Sequence, residues 1–231
     1  NCLAKGPTSI ANLLHVMQRM RQDPYLLVAD VSKAYNNIHT PGAVEQHCRR
    51  MLWIHPDDIN EETPRLRVFV MMAAAFGDRP SGFYLEYSKE CIAGWAAKQG
   101  EDWIPVRDAI LKNMYIDDAV PSFKTYEQTL QVRDGMVTAF AQLGFPFKDP
   151  VIVGPGAPKL DREPESLLGY LYDFKEDTLS IKWKINLSVK RRSARTLPDL
   201  IHDSEVENLV LTPGSLLTIL ASQYDPLGLA S

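Results

Sequence analysis

Two adjacent aspartates, Asp117 and Asp118, form the pattern in this sequence that most directly suggests chemistry. Short, largely apolar runs at 114–116 and 119–123 flank them, which predicts a β-hairpin with both carboxylates at its turn. Because side chains alternate along a strand, neighbouring aspartates point the same way only if a turn re-aims one of them. Two interpretations are open at this point. The pair binds a metal ion, or it is ordinary turn chemistry in which Asp bonds to its own backbone.

A third aspartate, Asp30, stands at the end of the apolar run 25–30, which predicts a central strand. A single aspartate in this position either caps the following turn or serves as a ligand. If this strand lies beside the hairpin, three carboxylates converge, and such clustered like charge is costly unless cations bind there. Carboxylate oxygens suit Mg²⁺. A pair of such ions, about 3.5 to 4 Å apart, is a known device for in-line displacement at phosphorus.

The residues around these aspartates resemble the motifs of reverse transcriptases. The segment from Asp30 to Tyr35 is similar to the first catalytic motif of that family, and the segment 115–118, Tyr-Ile-Asp-Asp, is similar to its YxDD box. The C-terminal segment 222–229 is similar to one typical of BEL/Pao-type retrotransposons. Each motif alone is short, but their order and spacing together are specific, and the resemblance extends with gaps over most of the chain.

The resemblance implies a role for each matching residue. Asp30, Asp117 and Asp118 would be the catalytic, metal-binding groups for two Mg²⁺ ions, with Mn²⁺ as a possible substitute. Tyr35 would lie under the nucleotide sugar and exclude a 2′-hydroxyl. The backbone at Gly77 would lie close to the templating base pair, and Lys148 would lie beside the nucleotide phosphates. Nucleic acid would be contacted by Tyr115 and by the primer-holding pair Gly169 and Tyr170. The segment after Gly77 departs from the family pattern at Gly82, where proline is expected.

Three of these residues also have an alternative interpretation in which they have no functional role. Tyr35 is alternatively an ordinary buried tyrosine, Tyr170 a core strand residue, and Lys148 a surface lysine after a turn. The basic residues Lys190, Arg191 and Arg192 belong to a cluster near the C-terminus that is predicted to track the phosphates of a template-primer. Their alternative is a solvated charged face.

The order of predicted elements is strand, helix, β-hairpin, helix and strand, which indicates an α+β fold. The resemblance implies a right-hand polymerase palm, an antiparallel sheet backed by helices, with partial fingers and the start of a thumb. A helix capped by Thr8 or Ser9 is predicted to precede the Asp30 strand, and a second helix that begins with a proline is predicted over 41–50. Thr125 is predicted to cap the helix that follows the hairpin. The expected divisions are an entry helix or partial fingers at 1–24, a palm strand at 25–37, fingers at 38–79, palm with hairpin and primer grip at 80–174, and thumb or connection at 175–231.

Composition is compatible with this interpretation. The chain of 231 residues is 45% hydrophobic, enough for a substantial core, and carries a net charge of −4. No run approaches the ~20 apolar residues needed to span a bilayer, so no membrane partner is expected. Three cysteines without metal-type spacing indicate reduced thiols inside a cell. The resemblance implies a location in a cytoplasmic particle or the nucleus. The N-terminus lacks an initiator Met and a secretory signal, which suggests a segment of a longer polyprotein.

The sequence therefore predicts template-directed DNA synthesis from dNTPs on an RNA or DNA template. Its expected partners are a template-primer, dNTPs and other regions of the polyprotein. Two alternatives are open. One is a catalytically retired palm that serves as a nucleic-acid-binding or assembly scaffold, since a fold does not guarantee activity. The other is an RNA-directed RNA polymerase, against which Tyr35 and Tyr115 argue.

Overall fold

The chain divides into two units, Asn1–Pro155 and Gly156–Ser231, which are described separately. The computed structural model describes residues 4–39, 42, 47, 49–75, 77–158, 160, 162–182, 184–185, 195–196, 212–214 and 216–217. The predicted palm segment 80–174 therefore spans both units, and the five-part division stays a prediction. Lys190, Arg191, Arg192, most of the helix expected over 41–50 and the segment 222–229 lie outside the described residues.

The first unit alternates helices and strands in the predicted order. Its elements are α1 (Leu13–Met20), β1 (Tyr25–Val31), β2 (Arg50–Ile54), β3 (Leu66–Val70), α2 (Ser81–Ala97), α3 (Ile104–Lys112), β4 (Met114–Tyr115), β5 (Asp118–Ala119), β6 (Ser122–Phe123), α4 (Tyr126–Gln142) and β7 (Phe147–Val153). The succession of strand, helix, hairpin, helix and strand predicted from the sequence is confirmed. Across the described ranges, every helix is too short or too polar to cross a lipid bilayer.

Strand β1 is the centre of an antiparallel sheet with the order β4, β5, β1, β6, while β7 pairs along the other side of β1. β5 and β6 both lie against β1, opposite its C-terminal and N-terminal halves respectively. Between them, the Leu27 backbone N–H donates to the carbonyl oxygen of Pro121 at 2.9 Å. Because β1 is hydrogen-bonded on both sides, it holds the residues at its C-terminal end in fixed backbone positions.

The core of this unit lies between the sheet and three helices. Leu27, Ala29 and Val31 share one face of β1, as strand alternation requires, and belong to the main buried cluster. Helices α2, α3 and α4 supply most of its other members, which are Leu85, Ile92, Ala93, Ala96, Val106, Ala109, Ile110, Val132, Met136, Ala139 and Phe140. Helices therefore back the antiparallel sheet within this unit.

Helix boundaries follow local capping chemistry. The predicted Thr125 cap of α4 is confirmed, because its side chain accepts a hydrogen bond from the Gln128 backbone N–H at 3.2 Å. Gly144, which has a φ of +81°, follows the end of that helix. The predicted cap of α1 is wrong. Asn12 caps this helix by accepting from the His15 backbone N–H at 3.2 Å, so the helix begins after Thr8 and Ser9.

Strands β2 and β3 form a separate antiparallel hairpin whose apolar side chains are largely exposed, including Leu52, Leu66 and Val68. At its base, the Arg49 guanidinium donates to the carbonyl oxygen of Ala73 at 2.7 Å. The same guanidinium lies 3.4 Å from the Asp78 carboxylate. Arg49 therefore ties the start of this hairpin to the segment that leads into α2.

The described part of the second unit contains a three-stranded antiparallel sheet of β8 (Glu165–Leu167), β9 (Tyr170–Asp173) and β10 (Thr178–Ser180). A short pair, β11 (Lys184–Ile185) and β12 (Arg195–Thr196), accompanies it. Leu168 and Gly169 connect β8 to β9 with φ values of +51° and +89°, the sign that a type I′ turn requires at both central positions. Tyr172 is buried, and its hydroxyl lies 2.6 Å from the Asp177 carboxylate, to which it donates.

We expect Gly135 in α4 to resist substitution by alanine, because a Cβ there would lie 2.5 Å from Cγ2 of Val106 in α3. Overpacking against this stiff side chain costs about 1–3 kcal/mol, which should exceed the helix propensity gained from Ala. Gly135→Ala should therefore lower the free energy of unfolding in a denaturant titration.

Gly94→Ala in α2 is the matched control, because nothing lies within 4 Å of a Cβ at that position. It should raise the free energy of unfolding by about 0.5–1 kcal/mol through helix propensity alone. Equal stabilisation by both substitutions would contradict the close approach of α3 and α4.

Candidate active site

The hairpin turn separates the two adjacent aspartates. Met114 pairs with Ala119 and Tyr115 with Asp118, so only Ile116 and Asp117 remain to form the turn. The predicted hairpin is therefore confirmed, but the prediction that both carboxylates lie at its turn is wrong for Asp118, because Asp118 pairs with Tyr115 and belongs to the strand. Ile116 has a φ of +55°, which is a genuine outlier for a β-branched residue. Such conformations persist only where the surroundings enforce them, and they are concentrated at functional sites.

Strand register brings Asp30 to the same place. Asp30 in β1 and Asp118 in β5 are directly opposed antiparallel partners. The Val31 backbone N–H donates to the carbonyl oxygen of Asp117 at 3.1 Å, which fixes the hairpin turn against the end of β1. Directly opposed residues have Cβ atoms about 4.5–5.5 Å apart. Backbone pairing thus gathers the three aspartates at one end of the central strand.

The carboxylate of Asp117 shows the cost of this clustering. Burial raises its pKa, and the negative charge of Asp30 raises it further. A hydrogen bond from its own backbone N–H and the positive charges of Lys148 and Lys89 act in the opposite direction. The repulsion expected from the sequence is therefore present at this site, and cationic side chains offset part of it.

Lys148 provides the cation nearest to Asp30. Lys148 lies on β7 and is the antiparallel partner of Asp30 on β1. Its ammonium donates a hydrogen bond to Asp30 Oδ2. This hydrogen bond raises the pKa of Lys148, and the charges of Asp30, Asp117 and Asp118 add to the effect. The side chain is 60% exposed, so the contact stays open to exchange with solvent and ligands. Lys148, expected beside nucleotide phosphates, is bound here to an aspartate.

Tyr35 lies beside the acidic turn. After β1 the chain bends through Lys33, which has a φ of +51°, into a short 3-10 helix, Ala34–Asn37. The Asn37 side-chain amide closes this bend by donating to the Ser32 carbonyl oxygen at 2.8 Å. Burial raises the pKa of Tyr35, and the negative charges of Asp117 and Glu86 raise it further. Tyr35 is partly buried against the core, close enough to Asp117 for the carboxylate charge to act on its hydroxyl.

Two charged residues that the sequence analysis did not select, Glu86 and Lys89, affect this site through their charges: Lys89 lowers the pKa of Asp117, and Glu86 raises the pKa of Tyr35. Both are buried on α2, and their side chains form an ion pair of 2.7 Å. Their spacing contained a signal, because both fall on the helical face that carries Leu85, Ile92 and Ala93. A charged pair inside an apolar stripe indicates buried charge, whereas charges on a helix are usually assigned to the solvent side.

The remaining predicted site residues do not all lie at the end of β1 that carries Asp30. Gly77 is exposed in the segment before α2, and its φ of +86° requires the conformational freedom of glycine. Tyr115 is on β4, directly opposite Asp118. Gly169 and Tyr170 belong to the second unit. Tyr170 is fully buried there, as its core-strand interpretation requires, and a role at the primer stays a prediction.

The aspartates fit a divalent cation by charge and donor type, since three carboxylates offer the hard oxygen ligands that Mg²⁺ prefers. Among the described residues, no three side chains of Asp, Glu, His or Cys are already arranged as a metal-binding group. The Lys148 ammonium on Asp30 Oδ2 supplies positive charge where a metal would supply it. Metal binding would therefore require Asp30 to exchange one cation for another.

Comparison with known proteins supports the fold. No protein-family model matches the chain, and no curated protein matches it. Among solved structures, the chain is similar to a foamy virus protease-reverse transcriptase in complex with double-stranded DNA, with a TM-score of 0.51 and 12% identity. The match covers 95% of this chain but only 30% of the viral chain. At this identity the likeness concerns the fold alone, which is similar to that of a reverse transcriptase.

Relief of the backbone strain at Ile116 should be measurable. Ile116→Leu keeps the side-chain volume but removes the branch at Cβ, which is least compatible with a φ of +55°. We expect the free energy of unfolding to rise by up to about 1 kcal/mol, measured by denaturant titration.

Ile110→Leu is the control, because Ile110 is buried in the regular helix α3. The same exchange there relieves no strain and should be neutral or cost up to about 1.5 kcal/mol. A larger loss at Ile116 than at Ile110 would show that the turn does not hold strain.

Proposed function

We propose that the chain is the polymerase part of a reverse transcriptase, an RNA-directed DNA polymerase that also copies DNA. The observation that carries this proposal is the opposed pair Asp30 and Asp118, which with Asp117 in the adjoining strained turn brings three aspartates to one end of β1. Similarity of the fold to that of a viral reverse transcriptase supports it. Two Mg²⁺ ions, or Mn²⁺ in their place, are the proposed cofactors, held by Asp30 and Asp117 with Asp118 assisting.

In the proposed reaction, the 3′-hydroxyl of a primer attacks the α-phosphate of a dNTP and releases pyrophosphate. When bound, the two divalent ions would activate the attacking hydroxyl and neutralise charge on the phosphate oxygens. Asp30 and Asp117 contribute carboxylates held by β1 and its neighbouring hairpin. Catalysis of this kind depends on positioning and charge rather than covalent chemistry, and a fully paired central strand suits positioning.

Lys148 has a second role in this proposal. Its exposed ammonium contacts Asp30, and a divalent cation at Asp30 would compete for the same carboxylate oxygen. Once displaced, the ammonium would bind the phosphates of the incoming nucleotide and donate a proton to the departing pyrophosphate. Both the aspartate contact and the phosphate contact use the same positive charge, so the exchange couples metal binding to substrate binding.

Tyr35 is proposed to select deoxynucleotides. Its position on the 3-10 helix next to β1 and its electrostatic coupling to Asp117 support a place at the nucleotide sugar. A bulky ring there would exclude a 2′-hydroxyl. Gly77, with an open approach to its backbone, is proposed to lie against the templating base pair.

The nucleic-acid partner is proposed to be a template-primer duplex. The viral structure with the similar fold is a complex with double-stranded DNA. Contacts by Tyr115, Gly169, Lys190, Arg191 and Arg192 belong to this proposal, whereas the predicted contact by Tyr170 does not, because that residue is fully buried. Assignment to a BEL/Pao-type retrotransposon polyprotein, with an intracellular site of action, rests on the sequence resemblance.

Asp117→Asn is expected to abolish primer extension on an RNA template with Mg²⁺ and dNTPs, because it removes one proposed metal ligand. The fold should survive, since the side chain is partly buried but carries no part of the core. Asp134→Asn is the matched control, because this exposed helix carboxylate pairs only with neighbouring Arg133 among its described ion pairs. Undiminished extension by Asp117→Asn would reject the site.

Tyr35→Ala is expected to increase incorporation of rNTPs relative to dNTPs by about tenfold or more, while extension with dNTPs continues. The measurement is single-nucleotide extension with matched rNTP and dNTP. Tyr87→Ala serves as the control, because Tyr87 is an exposed tyrosine on α2. Efficient use of rNTPs by the unchanged protein would favour an RNA polymerase instead.

A retired scaffold is the second candidate, favoured by the contact between Lys148 and Asp30, which satisfies the carboxylate without metal. Stabilisation by Mg²⁺ separates the two functions, because an ion that binds only the folded state raises its stability. A working site should show a rise in Tm with Mg²⁺ that Asp117→Asn removes. A scaffold should show none.

A further inference from the structure

Strands β2 and β3 form a hairpin that is apolar on both of its faces. Because side chains alternate along a strand, Leu52, Leu66 and Val68 lie on one face, and the cross-strand partners Met51 and Phe69 lie on the other. All five side chains are exposed. A single two-stranded hairpin is marginally stable in water, and three or more strands with an apolar face are normally needed. A further strand beside this hairpin would therefore stabilise it.

The outer edge of β2 is open to such a strand. Within the described residues, β2 and β3 pair as strands only with each other. The Met71 backbone N–H donates to the Arg49 carbonyl oxygen at 3.0 Å, in the register that continues along the hairpin. Hydrogen-bonded and non-hydrogen-bonded pairs alternate in an antiparallel ladder. The backbone N–H and C=O groups of Arg50, Leu52 and Ile54 therefore point away from β3.

The sequence of β2 contains nothing that protects this edge. Proteins commonly shield an edge strand with lysine, with proline or with a β-bulge that twists the strand away. β2 has the sequence Arg-Met-Leu-Trp-Ile, and its register with β3 is regular at every position. It is therefore a regular, mostly apolar strand whose outer edge is competent to pair with another strand.

The charges at the two ends of β2 have opposite signs. Arg50 begins the strand, whereas the loop that follows it carries four carboxylates, Asp57, Asp58, Glu61 and Glu62. Arg67 contacts Asp58 at 3.3 Å, which leaves the loop acidic. If the same strand from a second copy lies antiparallel to β2, each Arg50 faces the acidic loop of the other copy. A parallel arrangement would place like charges together, which is unfavourable.

We propose that β2 pairs antiparallel with β2 of a second copy of this chain, so that the two hairpins form one four-stranded sheet. The two-fold axis passes through Leu52, which opposes Leu52 of the second copy, and this register uses the whole strand. Such a contact is isologous, because both copies contribute the same surface. The outer edge of β3 offers no complementary charge, because the residues that follow it, 71–77, are uncharged. The inference is independent of the proposed function, since it uses none of the candidate catalytic residues.

We expect this dimer to be weak and dependent on protein concentration. Pairing of one short strand buries less than the ~800 Å² per partner of a standard interface. Its stability comes from backbone hydrogen bonds, from the opposed leucines and from the two contacts between Arg50 and the acidic loop. Salt screens the last of these, so dimerisation should weaken as ionic strength rises.

The test is sedimentation velocity of the full 231-residue chain over a range of protein concentrations. The parent should show a reversible equilibrium between monomer and dimer. The main variant is Leu52→Pro, which removes an outward N–H but no hydrogen bond to β3, and edge strands tolerate proline at such positions. Because one hydrogen bond is lost from each copy, dimerisation should weaken by about tenfold or more.

Val68→Pro is the matched control. Val68 is directly opposite Leu52 on the same face, and the two residues are 59% and 66% exposed. The Val68 N–H points to the outer edge of β3, so proline there should leave dimerisation unchanged. The free energy of unfolding of each proline variant, measured at a concentration where the parent is monomeric, shows whether the hairpin survives the substitution.

A pair of charge variants tests the antiparallel arrangement without proline. Arg50→Glu should weaken dimerisation severalfold, with a larger effect at low salt, because it places a carboxylate against the acidic loop of the second copy. Asp57 is the acidic residue nearest in sequence to Ile54, which opposes Arg50 in the proposed register. Adding Asp57→Lys to Arg50→Glu should therefore restore much of the dimer.

Each outcome decides the inference. A parent that stays monomeric at every concentration overturns it, as does a parent that assembles beyond the dimer. A dimer that folded Leu52→Pro leaves intact, or that Val68→Pro weakens equally, does not form through β2 and also overturns it. Selective weakening by Leu52→Pro and by Arg50→Glu, with recovery when Asp57→Lys is added, supports the pairing of β2 with β2.

Discussion

Repulsion among three aspartates at one end of β1 is the constraint on which the rest of this structure depends. The backbone register of β1 and β5 opposes Asp30 to Asp118 and fixes Asp117 in the adjoining turn, so the backbones of these residues cannot separate without breaking the sheet. Their charges must therefore be offset where they stand. Within the described residues, Lys148 does this from the exposed side and Lys89 from the buried side.

The surrounding architecture holds this arrangement in place. β1 is hydrogen-bonded on both sides, and helices α2, α3 and α4 pack against one of its faces. That support is enough to keep Ile116 at a positive φ, a conformation that an isolated hairpin with this sequence would avoid. A rigid frame that holds strained, mutually repelling groups is characteristic of a site where function, rather than stability, determines the residues.

The sequence predicted what depends on local pattern. The Asp30 strand, the Asp117 turn and the Thr125 cap follow from alternation, turn chemistry and capping, which act over a few residues. The contact between Lys148 and Asp30 joins residues 118 positions apart, so spacing contains no trace of it. The burial of Glu86 and Lys89 was signalled only by their place on the apolar face of α2, and tertiary packing decides that this face meets the core. At α1 the N-cap is Asn12 rather than Thr8 or Ser9.

The most direct test of the account is anomalous diffraction from crystals of the protein soaked with Mn²⁺. The account predicts anomalous peaks within bonding distance of the Asp30 and Asp117 carboxylates, about 2.0–2.2 Å for hard oxygen ligands of small divalent ions, with the Lys148 ammonium moved away from Asp30. Saturating Mn²⁺ without a peak at these aspartates, and with Lys148 still bound to Asp30, would contradict it.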